Sequence, residues 1–118
     1  KLYVLVRGVQ LNSALSYYID SDNNGTTGYH SWAWVNSGID HLIEDGYLYV
    51  YTGTGTDWSF DLVGSAGIEE ARTNSIHEIS VTHAALGHPG AATMKISVSK
   101  GTSDYTPATG NPQATVNP

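Results

Sequence analysis

The chain has 118 residues, a formal net charge of −6 and no cysteine. This length suits one domain with its own core, and the lack of cysteine excludes disulfides and thiolate metal sites. Only five Lys and Arg residues are present, which argues against a nucleic-acid or anionic-membrane partner. No apolar run approaches the roughly 20 residues of a membrane-spanning helix, so we expect no membrane insertion.

The composition is typical of an extracellular β protein. It includes 13 Gly and 8 Tyr residues; Tyr favours half-buried sheet surfaces and Gly favours turns. We therefore expect a secreted or cell-surface location. The chain opens directly on a strand-like run, which leads us to expect a module of a larger multidomain protein.

Apolar and alternating runs, separated by turn residues, predict the strands. Asp45-Gly46 is a hairpin signal, and a short helical turn is predicted over 82–86. The polar segment 68–74 fits either a poor strand or a loop. The pattern predicts an all-β, antiparallel β-sandwich of jelly-roll or immunoglobulin-like type over residues 1–106, followed by a Pro/Thr/Asn-rich tail or linker over 107–118. The predicted strands are 2–7, 14–19, 39–44, 47–51, 58–63, 76–81 and 92–99.

A polar loop from Asp20 to Tyr29 follows the second strand. Oxygen-bearing side chains at its positions 1, 3 and 5, with Gly at position 6, match the spacing of a calcium loop. The closing Glu of an EF-hand is absent, because Ser31 occupies that position, so a carboxylate from the next strand is needed. An Asx-rich turn without metal is the alternative. The candidates for the missing carboxylate are Asp40, Glu44 and Asp45, and Asp40, at the start of the next strand, is preferred. The predicted Ca²⁺ ligands are Asp20, Asp22, Asn24, Thr26 and Asp40.

Aromatic residues lie directly after this loop. Tyr29, Trp32 and Trp34 follow one another closely, and Trp58 begins a later predicted strand. On a strand, Trp32 and Trp34 would point the same way. Tyr and Trp suit partly solvated sites, where an apolar ring stacks on a sugar ring and a polar group reaches water. The candidate glycan-binding residues are therefore Tyr29, Trp32, Trp34 and Trp58. The alternative is that they form core or a half-buried sheet face.

Catalytic signatures are absent from the sequence. There is no Cys nucleophile, no Gly-x-Ser-x-Gly elbow and no phosphate-binding loop. The five histidines do not have zinc-site spacing. Acidic pairs such as Glu69-Glu70 would need a cleft to act as a glycosidase. We therefore predict that the protein is not an enzyme. A small hydrolase is the remaining alternative hypothesis.

Two stretches resemble a pattern of bacterial extracellular modules. They are Tyr18-Ile19-Asp20-Ser21-Asp22-Asn23-Asn24 with Thr27-Gly28-Tyr29, and Gly38-Ile39-Asp40-His41-Leu42-Ile43-Glu44-Asp45-Gly46-Tyr47-Leu48-Tyr49. The pattern is similar to that of family 9 carbohydrate-binding modules and the related DOMON-like domains. The resemblance implies a calcium-stabilised sandwich attached to a secreted polysaccharide-active enzyme or a surface protein, with Asp20, Asp22 and Asn24 as ligands.

The sequence thus predicts a non-catalytic carbohydrate-binding module with a structural calcium site, which binds a polysaccharide or glycan by aromatic stacking. The alternative is a calcium-stabilised structural or adhesive module of a bacterial surface or secreted protein, without a sugar site.

Overall fold

A computed structural model describes residues 1–88 and 90–118. Within these residues it contains ten strands and one short 3₁₀ helix, Ala84–Leu86, which ends at Gly87. No helix among the described residues has the length and apolarity needed to span a membrane. The strands are β1 (Leu2–Arg7), β2 (Ser16–Asp20), β3 (His41–Glu44), β4 (Tyr47–Tyr51), β5 (Phe60–Gly64), β6 (Ile68–Arg72), β7 (Ile76–Val81), β8 (Met94–Lys100), β9 (Asp104–Thr106) and β10 (Ala114–Val116).

The strands form two antiparallel sheets. The smaller sheet has the order β1-β7-β6, and the larger has the order β10-β8-β2-β3-β4-β5. Strand β9 also pairs with β8, beside residues 98–100, whereas β10 pairs beside residues 94–96. The predicted all-β antiparallel sandwich is confirmed.

The main core lies between the sheets because alternate residues of each strand point inward. The smaller sheet contributes residues such as Ile79 and Val81, and the larger contributes Ile19, Ile43 and Met94. A buried hydrogen bond also crosses this core: Tyr17 Oη lies 2.6 Å from His77 Nδ1. Since Tyr17 is on β2 and His77 is on β7, this bond joins the two sheets.

A second, smaller core covers the opposite face of the larger sheet. Its buried residues are Ala33, Trp34 and Ile39, all from the segment between β2 and β3. They pack against half-buried aromatic side chains of the sheet and the C-terminal segment, including Tyr18 and Tyr105. The larger sheet is therefore covered on both faces, which explains how Leu42, next to Ile43 on β3, is also buried.

One part of the structure differs from the sequence expectation. The expected tail 107–118 contributes β10, and Gln113 is buried because its amide donates to the Tyr18 carbonyl and to Ser97 Oγ. Outside it, residues 32–36 form turns and a bend, so the condition under which Trp32 and Trp34 would point the same way, a strand, is not met. The ambiguous segment 68–74 is mostly strand β6.

Candidate functional site

Antiparallel pairing of β2 and β3 brings three carboxylates together. Asp20 ends β2, and Asp40 precedes β3 and donates its backbone N–H to the Ile19 carbonyl at 2.9 Å. One oxygen from each of Asp20, Asp22 and Asp40 lies within 4.8 Å of the others. We call these three residues the acidic cluster. The structure thus places Asp40 beside the loop, next to Asp20 and Asp22.

Backbone amides satisfy part of the acidic cluster. Asp40 Oδ2 accepts from the backbone N–H groups of Ser21 at 2.9 Å and Asp22 at 3.3 Å. The Asn24 N–H is shared between one oxygen of Asp20 and one of Asp22, each at 3.0 Å. Asp20 is fully buried, and its second oxygen, Oδ2, has no hydrogen-bond partner among the described residues. A buried carboxylate oxygen without a partner is costly.

The crowding of carboxylates changes their acidity. Burial raises the pKa of Asp20 to about 7, and contact with Asp22 and the charge of Asp40 add to the rise. Burial and the Asp22 charge raise the pKa of Asp40 to about 6. Burial opposes ionisation at Asp22 as well, but hydrogen bonds, beginning with that from Thr27, outweigh it and lower its pKa. A nearby cation would relieve this repulsion.

The other two predicted ligands, Asn24 and Thr26, contact each other through the Asn24 side chain. The predicted ligand atom of Thr26, its backbone carbonyl oxygen, takes no part in this contact. Asn24 Oδ1 accepts from the Thr26 N–H at 3.0 Å and from Thr26 Oγ1 at 2.7 Å. This is the local hydrogen bonding of an Asx turn, which occupies the Asn24 side-chain oxygen. The structure therefore groups Asp20, Asp22 and Asp40 and leaves Asn24 and Thr26 bonded to each other.

Close backbone packing fixes the loop against the segment before β3. A Cβ on Gly25 would collide with the Asn36 carbonyl oxygen, and one on Gly38 would collide with the carbonyl oxygens of Asn24 and Thr27. Only glycine permits such an approach. These two glycines let the acidic loop and the segment 36–40 lie directly against each other.

Two histidines flank the acidic cluster on one side. His41 Nδ1 lies 3.0 Å from Ser21 Oγ, and His88 Nε2 contacts the Ser21 carbonyl oxygen. Burial and the neighbouring His88 lower the pKa of His41 to about 4. His41 is thus neutral near neutral pH and adds no positive charge to the cluster.

One group of aromatic rings surrounds Tyr29. The Tyr29 ring lies 5.3 Å from Trp58, 5.8 Å from Tyr51 and 5.9 Å from Phe60, measured between ring centres. These are ordinary separations for packed aromatic pairs. Trp58 remains 59% exposed, so this group presents one large accessible ring supported by three others.

A second group contains the other two tryptophans. Trp32 is 73% exposed and packs edge-on to Tyr105, with ring centres 5.4 Å apart. Trp34 is only 3% exposed, and its indole N–H donates to the Pro107 carbonyl at 2.7 Å. The structure therefore places Trp34 in the second core and leaves it no face for a ligand, whereas Trp32 is accessible.

The acidic cluster and the Tyr29 group are directly connected. Tyr29 and Ile39 exchange two backbone hydrogen bonds, at 2.8 and 3.0 Å. Ile39 immediately precedes Asp40, and Tyr29 ends the acidic loop. The backbone next to Asp40 is therefore hydrogen-bonded to the residue whose ring supports Trp58.

Three aromatic residues that support the candidate rings are not among the predicted glycan-binding residues. Tyr51 and Phe60 are directly opposite each other on β4 and β5; the alternation of the two predicted strands was the available signal. Tyr105 supports both Trp32 and Trp34, but it lies in a segment without a clear strand pattern. Contacts of this kind, between residues far apart in the chain, have no local signature.

Comparison of the chain with protein-family models, characterised proteins and solved structures found no match. The fold and the site therefore define the protein only as an antiparallel β-sandwich with a three-carboxylate cluster beside exposed aromatic rings.

Proposed function

We propose that this protein is a non-catalytic carbohydrate-binding module with one structural calcium ion. The observation that carries the proposal is the connection of the acidic cluster to the Tyr29 group through paired backbone hydrogen bonds. In this view the calcium ion holds the loop, and the loop holds the aromatic rings that bind the polysaccharide. These rings are Trp58, Trp32 and the edge of Tyr29, and we call them the aromatic surface.

The chemistry of the cluster supports a hard cation. Its three carboxylates offer only oxygen, which calcium prefers, and calcium accepts six to eight oxygens in flexible geometry. Asp20 Oδ2 is buried and has no partner among the described residues, so a cation would satisfy it. Asp20, Asp22 and Asp40 would hold the ion, and their concentrated negative charge would be balanced.

The exposed tryptophans support sugar stacking. Sugar rings have apolar C–H faces that stack on aromatic rings, and a supported ring loses little entropy on binding. Trp58 rests on Tyr29 and Phe60, with ring centres 5.3 and 4.9 Å away, and Trp32 rests on Tyr105. We propose Trp58, Trp32 and the edge of Tyr29 as the sugar-contacting residues.

A secreted or cell-surface location and a larger parent protein belong to the same proposal. A single small site gives modest affinity, and attachment to a polysaccharide-active enzyme would raise the effective concentration of its substrate. The absence of cysteine is compatible with secretion, because disulfides are permitted outside the cell but not required.

The second candidate is a structural or adhesive module without a sugar site. The burial of Trp34 in the second core favours it, because at least one of the candidate rings is used for packing. In this case the acidic cluster would only stiffen the module.

Affinity electrophoresis in gels that contain single polysaccharides separates the two candidates. We expect retardation of the wild-type protein by at least one polysaccharide, and a loss of about tenfold in affinity for Trp58→Ala, equivalent to about 1.4 kcal/mol. Tyr47→Ala is the matched control, since Tyr47 is an exposed aromatic residue outside both groups. No retardation by any polysaccharide would favour the structural module. Equal retardation of Trp58→Ala, Trp32→Ala and wild type would contradict the assignment of these rings as the sugar-contacting residues.

A further inference from the structure

The outward face of the smaller sheet carries a trough that the aromatic surface does not include. Its volume is about 590 Å³, within the range of small-ligand sites. The register places its side chains in two rows across β1, β7 and β6. The first row is Tyr3, Ser80 and Glu69, and the second row is Leu5, Glu78 and Ala71. We call these six residues the outer trough.

Apolar and aromatic surface is unusually exposed in the outer trough. Tyr3 is 74% exposed and Leu5 is 52% exposed. Tyr3 and Leu5 lie on the edge strand β1, about 4.8 Å from the central strand β7. They therefore form one side of the trough. The Tyr3 ring therefore offers a face for stacking at one side of the trough.

A hydroxyl group in the trough has no internal partner. Ser80 is 6% exposed, and its Oγ makes no hydrogen bond to any described residue. Because Val81 and Ile79 point into the core, the alternation of β7 directs Ser80 to the outward face. A buried polar atom without a partner normally requires explanation. A ligand hydroxyl would supply one once the side chains that cover Ser80 Oγ move aside.

The charge of the trough is negative and partly uncompensated. Glu69 Oε2 lies 3.7 Å from Lys1 Nζ, so the positive charge of Lys1 compensates the negative charge of Glu69. Glu78 is exposed on the central strand between Leu5 and Ala71, and its carboxylate has no ion pair or side-chain hydrogen bond with the described residues. Arg7 is diagonal to Glu78 on the same face of β1 and makes no ion pair with it, so the Glu78 carboxylate is available to a cationic group of a ligand.

We propose that the outer trough binds a sugar unit that carries a protonated amino group. The Tyr3 ring stacks on the apolar face of the sugar and attracts its positive charge. Glu78 accepts a charge-assisted hydrogen bond from the ammonium group, and Ser80 Oγ pairs with a ring hydroxyl. This site is separate from the proposed aromatic surface, so either can exist without the other.

The test compares two short oligomers with the same backbone: one of glucosamine and one of N-acetylglucosamine. Titration at mildly acidic pH, followed by backbone amide shifts, should show binding of the glucosamine oligomer with shifts centred on Leu5, Ala71 and Glu78. We expect Glu78→Gln to weaken this binding about tenfold, the effect of losing a charged hydrogen bond. Asp61→Asn, an exposed carboxylate on β5, is the control with the same change of charge.

Three outcomes would overturn the proposal. They are equal affinity for the two oligomers, equal binding by Glu78→Gln and Asp61→Asn, or amide shifts confined to the region of Trp58. Binding of a lysine-rich peptide in the trough without binding of the glucosamine oligomer would also overturn it, since the trough would then be a protein-docking surface. Tyr47→Ala, at an exposed residue outside both proposed sites, should bind the glucosamine oligomer as the wild type does. The position of the amide shifts, at Leu5, Ala71 and Glu78 and not near Trp58, keeps a failure here distinct from a failure of the proposed function.

Discussion

Asp20 affects both the stability of the fold and the proposed binding of calcium. Its side chain is completely buried, and its Oδ1 accepts the Asn24 N–H while Oδ2 has no partner among the described residues. An amide in its place keeps the first bond and removes one negative charge from the cluster. The same change removes a ligand that a calcium ion would need.

Asp20→Asn should therefore have opposite effects with and without calcium. In chelator at neutral pH we expect the variant to be as stable as wild type or more stable, because repulsion within the acidic cluster falls. With calcium at a hundredfold excess over its dissociation constant, the wild type should gain about 2.7 kcal/mol and the variant almost nothing. Denaturant unfolding of both proteins measures this.

Asp61→Asn serves as the control for Asp20→Asn and should respond to calcium as the wild type does. A calcium response that persists in Asp20→Asn would mean that the acidic cluster does not hold the ion.

The pKa values of the cluster predict how the calcium effect depends on pH. In the folded protein the pKa of Asp20 is raised to about 7 and that of Asp40 to about 6. Raised carboxylate pKa values stabilise the metal-free fold at low pH, and this stability is lost as pH rises from the ordinary Asp pKa of 3.8 to the folded values of about 6 and 7. Calcium competes with these protons, so its stabilisation should grow over the same interval.

The measurement is the difference in melting temperature between calcium and chelator, at one pH well below 6 and one above 7. The lowered pKa of His41, about 4, acts in the opposite direction, because its stabilisation is lost as pH falls below its ordinary range. The effect of His41 is present under both conditions and is largely removed by taking the difference. A calcium shift that is independent of pH would contradict the prediction.

At the scale of elements, the main connection between the sheets is apolar, but one polar link crosses it. Tyr17 on β2 and His77 on β7 are each 1% exposed, and His77 Nε2 lies 3.0 Å from Glu70 on β6, without good hydrogen-bond geometry. Burial raises the pKa of Tyr17 and lowers that of His77. Both shifts favour the neutral forms of the two groups.

Tyr17→Phe should destabilise the fold by about 1–3 kcal/mol, because His77 Nδ1 would remain buried without a partner. The midpoint of denaturant unfolding measures the change. Tyr47→Phe removes a hydroxyl from a 47% exposed ring on β4 and should change stability very little. Equal midpoints for the two variants would mean that the Tyr17–His77 bond contributes nothing net.

Elements with strong alternation were predictable from sequence, and those held by distant contacts were not. The runs 2–7, 47–51 and 76–81 coincide with β1, β4 and β7, since each combines apolar alternation with flanking turn residues. Strand β10 has only three residues and depends on its pairing with β8. Its sequence, in a segment rich in Pro and Thr, carries no signal of that pairing.

The candidate site was predictable to a similar extent. Alternate carboxylates before Gly25 indicated Asp20 and Asp22, and the start of the next strand indicated Asp40; the structure brings these three together. The orientation of Asn24 and the burial of Trp34 were not predictable. The first depends on a local hydrogen bond to Thr26, and the second on the distant Pro107 carbonyl.

At the scale of the whole molecule, the sandwich acts as a rigid support with distinct surfaces. The larger sheet carries the second core and the exposed Trp32 and Trp58, and the smaller sheet carries the outer trough. The acidic cluster lies where the chain leaves β2 and returns to β3. It is therefore placed to couple a bound cation to the aromatic surface.

Affinity electrophoresis in a polysaccharide gel, with calcium and then with chelator, tests this coupling most directly. It is performed at a temperature at which both forms remain folded, with Asp20→Asn as the variant that should not respond to calcium. The account predicts retardation of the wild type in calcium, its loss in chelator and its return when calcium is restored. Retardation that is unchanged by chelator would contradict the coupling, and absence of retardation under both conditions would contradict the proposed function.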